Sequence, residues 1–257
     1  MEGRERLRLL SEVMARSTGS LLAEVGIAAG SKCLDVGCGG GDVTFELARA
    51  VGPSGRAVGV DLDEIKLDIA RREAAQHGLS NVTFEARDVT GWEPGEQFDV
   101  IYARFLLTHL RDPAALVSAL RQKLRPGGVV IVEDIDYRGH FAEPHCGALI
   151  RAVEFYTKLV QTRGADPHIG PRLPRLLRES GLEDVQMKLF HPAALSGSVK
   201  LLICVTLESI ADAVLTDGLA TEQELQETIE ELYTFAHDPH TMLGGPRIFQ
   251  AWGRSRS

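Results

Sequence analysis

The stretch Cys33-Leu34-Asp35-Val36-Gly37-Cys38-Gly39-Gly40-Gly41-Asp42 decides how this chain folds. A short apolar run carrying one acid passes straight into glycines and then into a helical segment that reaches residue 50. A strand that ends under the start of a helix brings backbone amides and the positive end of the helix to one point, and that context gives a glycine turn its meaning. Glycines there let the backbone turn sharply and pass close to a ligand.

Working outward, apolar runs recur at 57–60, 82–86, 100–102 and 129–132, with helical segments between them at 42–50, 63–77 and 113–124. Arg125-Pro126-Gly127-Gly128 stops the last helix. Continuous rather than alternating apolar runs belong to strands buried on both faces, so the pattern predicts an α/β fold with a doubly wound, mostly parallel sheet. Ahead of it, Leu7, Leu10 and Met14, then Leu21, Leu22 and Val25, recur at helical spacing, with Ser17 or Thr18 available as a cap between two N-terminal helices. After Asp136 the rhythm breaks into an amphipathic stretch at 147–163, a helix at 173–180, a strand at 185–190, helices at 199–214 and 221–236, and a last strand at 247–252. A single domain over 1–257 is expected. Its parts are N-terminal helices (1–29), a core (30–135), helical cap insertions (136–183 and 194–243) and final strands (184–193 and 246–254). The insertions read as a lid over a substrate or, alternatively, as a dimer interface.

The ligand of the glycine turn can be narrowed from its neighbours. A dinucleotide fingerprint, G-x-G-x-x-G, requires glycine where this chain has Asp42, and Asp35 sets a carboxylate where a pyrophosphate would approach. Asp61 follows the second apolar run about 24 residues after Gly37, the place from which a carboxylate reaches ribose hydroxyls. Asp63 suits a helix N-cap better than Asp61 does. The third run ends Glu85-Ala86-Arg87-Asp88-Val89, which adds an acid at the same edge of the sheet.

Taken in order, Leu34-Asp35-Val36-Gly37-Cys38-Gly39-Gly40-Gly41, Val60-Asp61, Arg87-Asp88-Val89, Phe98-Asp99-Val100-Ile101-Tyr102 and Leu124-Arg125-Pro126-Gly127-Gly128 resemble the successive motifs of class I S-adenosylmethionine (SAM)-dependent methyltransferases. The likeness is close over 30–135 and holds only in outline beyond. It implies a Rossmann-like sheet of seven strands with a reversed final hairpin, and SAM as cofactor. Asp35 with Gly37, Cys38 and Gly39 would hold the methionine end and Asp61 the ribose. Leu62, Asp88 and Val89 would meet adenine, and Tyr102, Ala103 and Arg104 would lie beside the sulfonium. The segment from Ile169 to Leu177, with Gly181-Leu182, resembles methyltransferases that act on small molecules. Arg172 within it is either a contact for an acidic substrate or a surface charge.

Methyl transfer needs its reactants held in line, and a base only where the acceptor must lose a proton. Candidate bases beyond the fourth and fifth strands are His109, Glu133, Asp134, Asp136, Tyr137, His140 and His145. His140, His145, Asp134 and Tyr137 are kept as weak catalytic candidates, and His109 reads better as a histidine bonded to backbone. No metal is assigned, because the spacing of His140, Glu143 and His145, or of Asp134 and Asp136, allows pairs of ligands and specifies no third. Phe105, Phe141, Phe155, Tyr156, Tyr233 and Phe235 are candidates for an apolar acceptor pocket, about two of the six being expected there.

Composition sets outer bounds. With 257 residues, 25% charged and 44% hydrophobic, the chain carries a folded core. A net charge of -8 opposes a phosphate backbone, no apolar run is long enough to span a bilayer, and no signal peptide is read at the N-terminus. Four cysteines without metal spacing read as free thiols in the cytoplasm. A small-molecule methyltransferase of the EC 2.1.1 class, monomer or homodimer, is the resulting expectation, with no nucleic-acid or membrane partner. The alternatives are an NAD(P)-type oxidoreductase, a non-catalytic SAM-binding module, and a protein or nucleic-acid methyltransferase.

Overall fold

The computed structural model describes residues 2–89 and 95–256, with side chains from Glu5 onward in the first helix. A single helix, α1 (Glu2–Val25), leads into β1 (Lys32–Val36), α2 (Asp42–Val51), β2 (Arg56–Asp61), α3 (Glu64–Gln76), β3 (Val82–Ala86), β4 (Phe98–Arg104), α4 (Pro113–Gln122) and β5 (Leu124–Asp136). There follow β6 (Phe141–Glu143), α5 (Gly147–Thr162), α6 (Leu173–Glu179), β7 (Glu183–Phe190), β8 (Ala193–Ala194), α7 (Ser198–Thr216), α8 (Glu222–His237), β9 (Met242–Gly244) and β10 (Arg247–Arg254).

Seven strands form the main sheet in the order β3-β2-β1-β4-β5-β10-β7. The first five are parallel, while β10 runs antiparallel between β5 and β7. The strand order reverses between β1 and β4, the point at which an open α/β sheet leaves a crevice at its carboxyl edge. Leu34, Val36, Val58, Val60, Ile101 and Val130 are buried in the shared core between sheet and helices, as continuous apolar runs require. Polar caps define where helices begin. Asp63 accepts from the amides of Ile65 and Lys66, and Asp112 accepts from Ala115 N with Pro113 at the first helical position.

Three expectations change. The two N-terminal helices are one, because Ser17 and Thr18 do not cap a helix. Their hydroxyls lie on the inner face of α1, where Thr18 donates to Glu133 (3.1 Å) and Ser17 accepts from Gln250 (3.0 Å). The span 136–183 is not all cap, since α6 inserts Leu173, Leu176 and Leu177 into the sheet core. The cap is built from α5, α7 and α8 around a small antiparallel sheet, β6-β9-β8, that short strands of two or three residues left invisible to periodicity. Helix α1 packs along α7, so the N-terminus belongs to the same roof.

Candidate active site

The glycine turn stands at the switch point between β1 and β4. Gly37 N and Cys38 N both donate to Val60 O (2.8 and 3.0 Å), Gly39 N donates to the Asp61 carboxylate (2.9 Å), and Gly41 N donates to Cys38 O (2.9 Å). Four of the five amides in the turn are therefore satisfied by the protein, and the turn is a braced platform rather than an open phosphate cradle. Gly41 serves packing: it sits at φ 86°, and a Cβ there would lie 3.0–3.1 Å from Phe45, Phe84 and Ala70.

A cleft opens over this platform, lined by Asp35, Gly37, Cys38, Gly39, Gly40, Asp42, Asp61, Lys66 and Arg104. Helix α1 covers it with Arg6, Leu7 and Leu10, and Cβ atoms at Gly39 and Gly40 would come within 3.8 Å of Leu7. Asp35 is buried and accepts from the Thr44 hydroxyl (2.6 Å); burial raises its pKa to about 6, against the opposing pull of Thr44 and Arg104. Asp61 spans the end of β2, its second oxygen accepting from Asp63 N (3.0 Å). Burial lowers the Arg104 pKa, an effect that the nearby Asp42 and Asp35 oppose.

Next to the cleft lies a second cavity, roofed by α1, α5 and α7 and floored by the ends of β5 and β10. Its walls are mainly apolar: Leu10, Val13, Ile135, Leu202, Ile203 and Leu243 are among them. Its polar groups are Arg6, His109, Tyr137, His140, Tyr156 and Thr206. Arg6, Leu10, Phe105 and His109 line both spaces, so cleft and cavity share a boundary. Phe105 stands there at φ 53°, a left-handed backbone that costs a bulky residue roughly 1–2 kcal/mol; its amide is anchored on Glu133 O (2.8 Å).

A methyltransferase-domain family model matches residues 27–181. The chain belongs to the class I SAM-dependent methyltransferases. It is 38% identical to the ubiquinone biosynthesis O-methyltransferase of Thiobacillus denitrificans over 167 residues, which cover 62% of this chain and 67% of that one. It is 34% identical to the trans-aconitate 2-methyltransferase of Methylobacterium radiotolerans, covering 70% of this chain and 63% of that one. The fold matches Haemonchus contortus phosphoethanolamine N-methyltransferase 2, solved with phosphomonomethylethanolamine and S-adenosylhomocysteine (SAH). That match has a TM-score of 0.59 at 18% identity and covers 94% of this chain and 53% of that one. This methyltransferase is thus an enzyme that uses SAM. The residues present fit that cofactor, since a glycine platform that side chains would fill lies beside carboxylates at two successive strand ends.

Not every expected site residue lines the cleft of this methyltransferase. Leu62 (72% exposed), Asp88 and Val89 follow the ends of β2 and β3 and do not line the cleft; Val89 packs against the sheet core. Of the Tyr102-Ala103-Arg104 segment only Arg104 reaches the cleft. Tyr102 is fully buried among Leu21, Val129 and Trp252 with its hydroxyl unpaired, and Ala103 is in the core on the opposite side. The residues just beyond, Phe105, Leu106 and His109, occupy the place expected for it. His109 is not bonded to backbone through its ring among the described residues. It faces the boundary, where the surrounding protein, then Arg6, Arg163 and Lys66, depress its pKa to about 4.

Among the catalytic candidates, Tyr137 and His140 reach the apolar cavity and Asp134 and His145 do not. Asp134 is fully buried, accepts from Thr108 N and Ile135 N (3.0 and 2.9 Å), and has its pKa raised to about 7 by burial. His145 is exposed on an outer groove with Phe141 and Ile150. Glu133 and Asp136 are bonded within the fold. Arg172 pairs with Asp166 (2.7 Å) at the surface, so it is a surface charge. Two of the six aromatic candidates, Phe105 and Tyr156, line the cavity; Phe141 lies outside it and Phe155 is core. Sequence spacing missed Arg6 and Leu10, although their separation of four residues places both on one face of α1.

Proposed function

We propose that this methyltransferase methylates a small, largely apolar acceptor bound in the cavity beneath α1, α5 and α7. The observation that carries the reading is the boundary shared by the cofactor cleft and the apolar cavity through Arg6, Leu10, Phe105 and His109. SAM, when bound, supplies an electrophilic methyl group on a sulfonium. The chain's own contribution is to hold the cofactor with Asp35, Asp61 and the braced turn, to exclude water with the aliphatic walls, and to orient the acceptor. Such positioning is sufficient for large rate gains in displacement reactions.

His140 and Tyr137 are the groups best placed to manage a proton. The Tyr137 carbonyl can only accept, so His140 Nδ1 donates to it (2.9 Å) and the lone pair stays on Nε2. Burial depresses the His140 pKa to about 4 and raises that of Tyr137 well above its usual value, so both are neutral at physiological pH. The named relatives act, by their names, on a ubiquinone precursor and on trans-aconitate, which supports a small acceptor. An acidic surface and the four free thiols support a cytoplasmic enzyme without a nucleic-acid partner.

Methyl-labelled SAM and a clarified whole-cell extract, with protein and nucleic acid retained, test the reading. Label is expected in low-molecular-mass products and should fall at least tenfold with Leu202→Trp, which fills the cavity while leaving SAH affinity within about twofold. Label found only in precipitable protein or nucleic acid contradicts it.

A further inference from the structure

Among the described residues, the lining of the apolar cavity includes no aspartate or glutamate, and Arg6 is its only lysine or arginine. Arg6 Nε is buried without a hydrogen-bond partner, and among the described residues no carboxylate lies within ion-pair distance of the guanidinium. Four other arginines of this chain are paired with carboxylates: Arg138 and Arg247 on Asp136, Arg125 on Asp99, Arg172 on Asp166. A guanidinium held at an apolar wall without its counter-charge is costly unless a ligand supplies one. Its field reaches both tyrosines of the cavity, lowering the pKa of Tyr137 and Tyr156 against the larger effect of their burial.

We infer that the acceptor is an apolar acid, whose ionised carboxylate or equivalent oxyanion is gripped by Arg6 at the boundary between cavity and cofactor cleft. This rests on the cavity being the acceptor site. A guanidinium matches a carboxylate with two parallel N–H donors, and an aliphatic enclosure strengthens that pairing. An ammonium ligand finds no carboxylate in the cavity and meets a cation instead, so amines are disfavoured there. The cofactor cleft carries cations of its own, Arg104 and Lys66, beside its three acids, which leaves Arg6 for the second ligand.

An isosteric probe series tests this by calorimetry on SAH-saturated protein: 3-phenylpropanoate, 3-phenylpropanol and 3-phenylpropylamine. Wild type should bind the acid roughly ten- to a hundred-fold tighter than the alcohol, with the amine weakest. Arg6→Met, titrated at SAH concentrations that saturate it, should bring the acid to the level of the alcohol with alcohol affinity within about twofold of wild type, and Arg6→Lys should keep part of the preference. Acid binding no tighter than that of the alcohol in wild type, or undetectable at millimolar concentration, overturns the inference. So does an Arg6→Met protein that loses SAH affinity but keeps the acid preference, which would assign Arg6 to the cofactor. Leu202→Trp separates the two levels: it should weaken all three probes, and undiminished binding would refute the cavity as acceptor site whatever Arg6 does.

Discussion

Asp61 shows how a side chain read from sequence for one role can carry bonds that the reading did not assign. It was expected to reach a ribose. In the fold it also fastens the glycine turn through Gly39 N and starts the turn into α3 through Asp63 N. Asp61→Ala should therefore weaken SAH binding roughly ten- to a hundred-fold by calorimetry, as one or two charged hydrogen bonds are lost; unchanged affinity would refute its role. The place of Asp61 on the cleft wall was legible because an acid at the end of the strand next to a glycine turn falls on the same edge of the sheet. Tyr102 was not, because its placement depends on which face of β4 it takes and on the left-handed bend at Phe105, which carries the chain toward the cavity only after the strand has ended. No local pattern encodes that bend.

At the scale of an element, α1 depends on a buried carboxyl. Glu133 is fully enclosed, accepts from Thr18 on α1 and Gln250 on β10, and has no cation among its described partners. Burial raises its pKa from 4.5 to about 7 despite those two bonds. A carboxyl whose folded pKa is raised binds more protons folded than unfolded, so its stabilising proton is present at acid pH. Stability then falls as pH rises from about 4.5 through 7 and levels off above. Glu133→Gln should flatten that decline and raise stability at pH 8 by as much as roughly 3 kcal/mol, read as denaturant midpoints across pH; an unaltered pH profile would show that Glu133 is not the titrating group. The same contacts explain why the sequence predicts two helices where α1 is one. Ser17 and Thr18 have the residue types of a cap, and only the partner strands reveal that they are an interior polar contact.

Across the whole molecule, the parallel core was legible because continuous apolar runs recur at intervals that leave room for a helix between strands, as a parallel sheet requires. The cap was legible as extra helices but not as an enclosure. Its cavity is assembled from α1, α5, α7 and the ends of β5 and β10, segments up to about 240 residues apart, and no spacing rule spans that distance. Its relation to the cleft is the central claim: the cofactor lies over the glycine turn with its reactive end at the Arg6, Leu10, Phe105 and His109 boundary, facing the apolar cavity. A crystal structure of the SAH complex tests this most directly. The account predicts ribose oxygens within about 3.2 Å of the Asp61 carboxylate and the sulfur turned toward Phe105 and His109. SAH bound with adenine at that boundary, or with its sulfur facing away from the cavity, would contradict it.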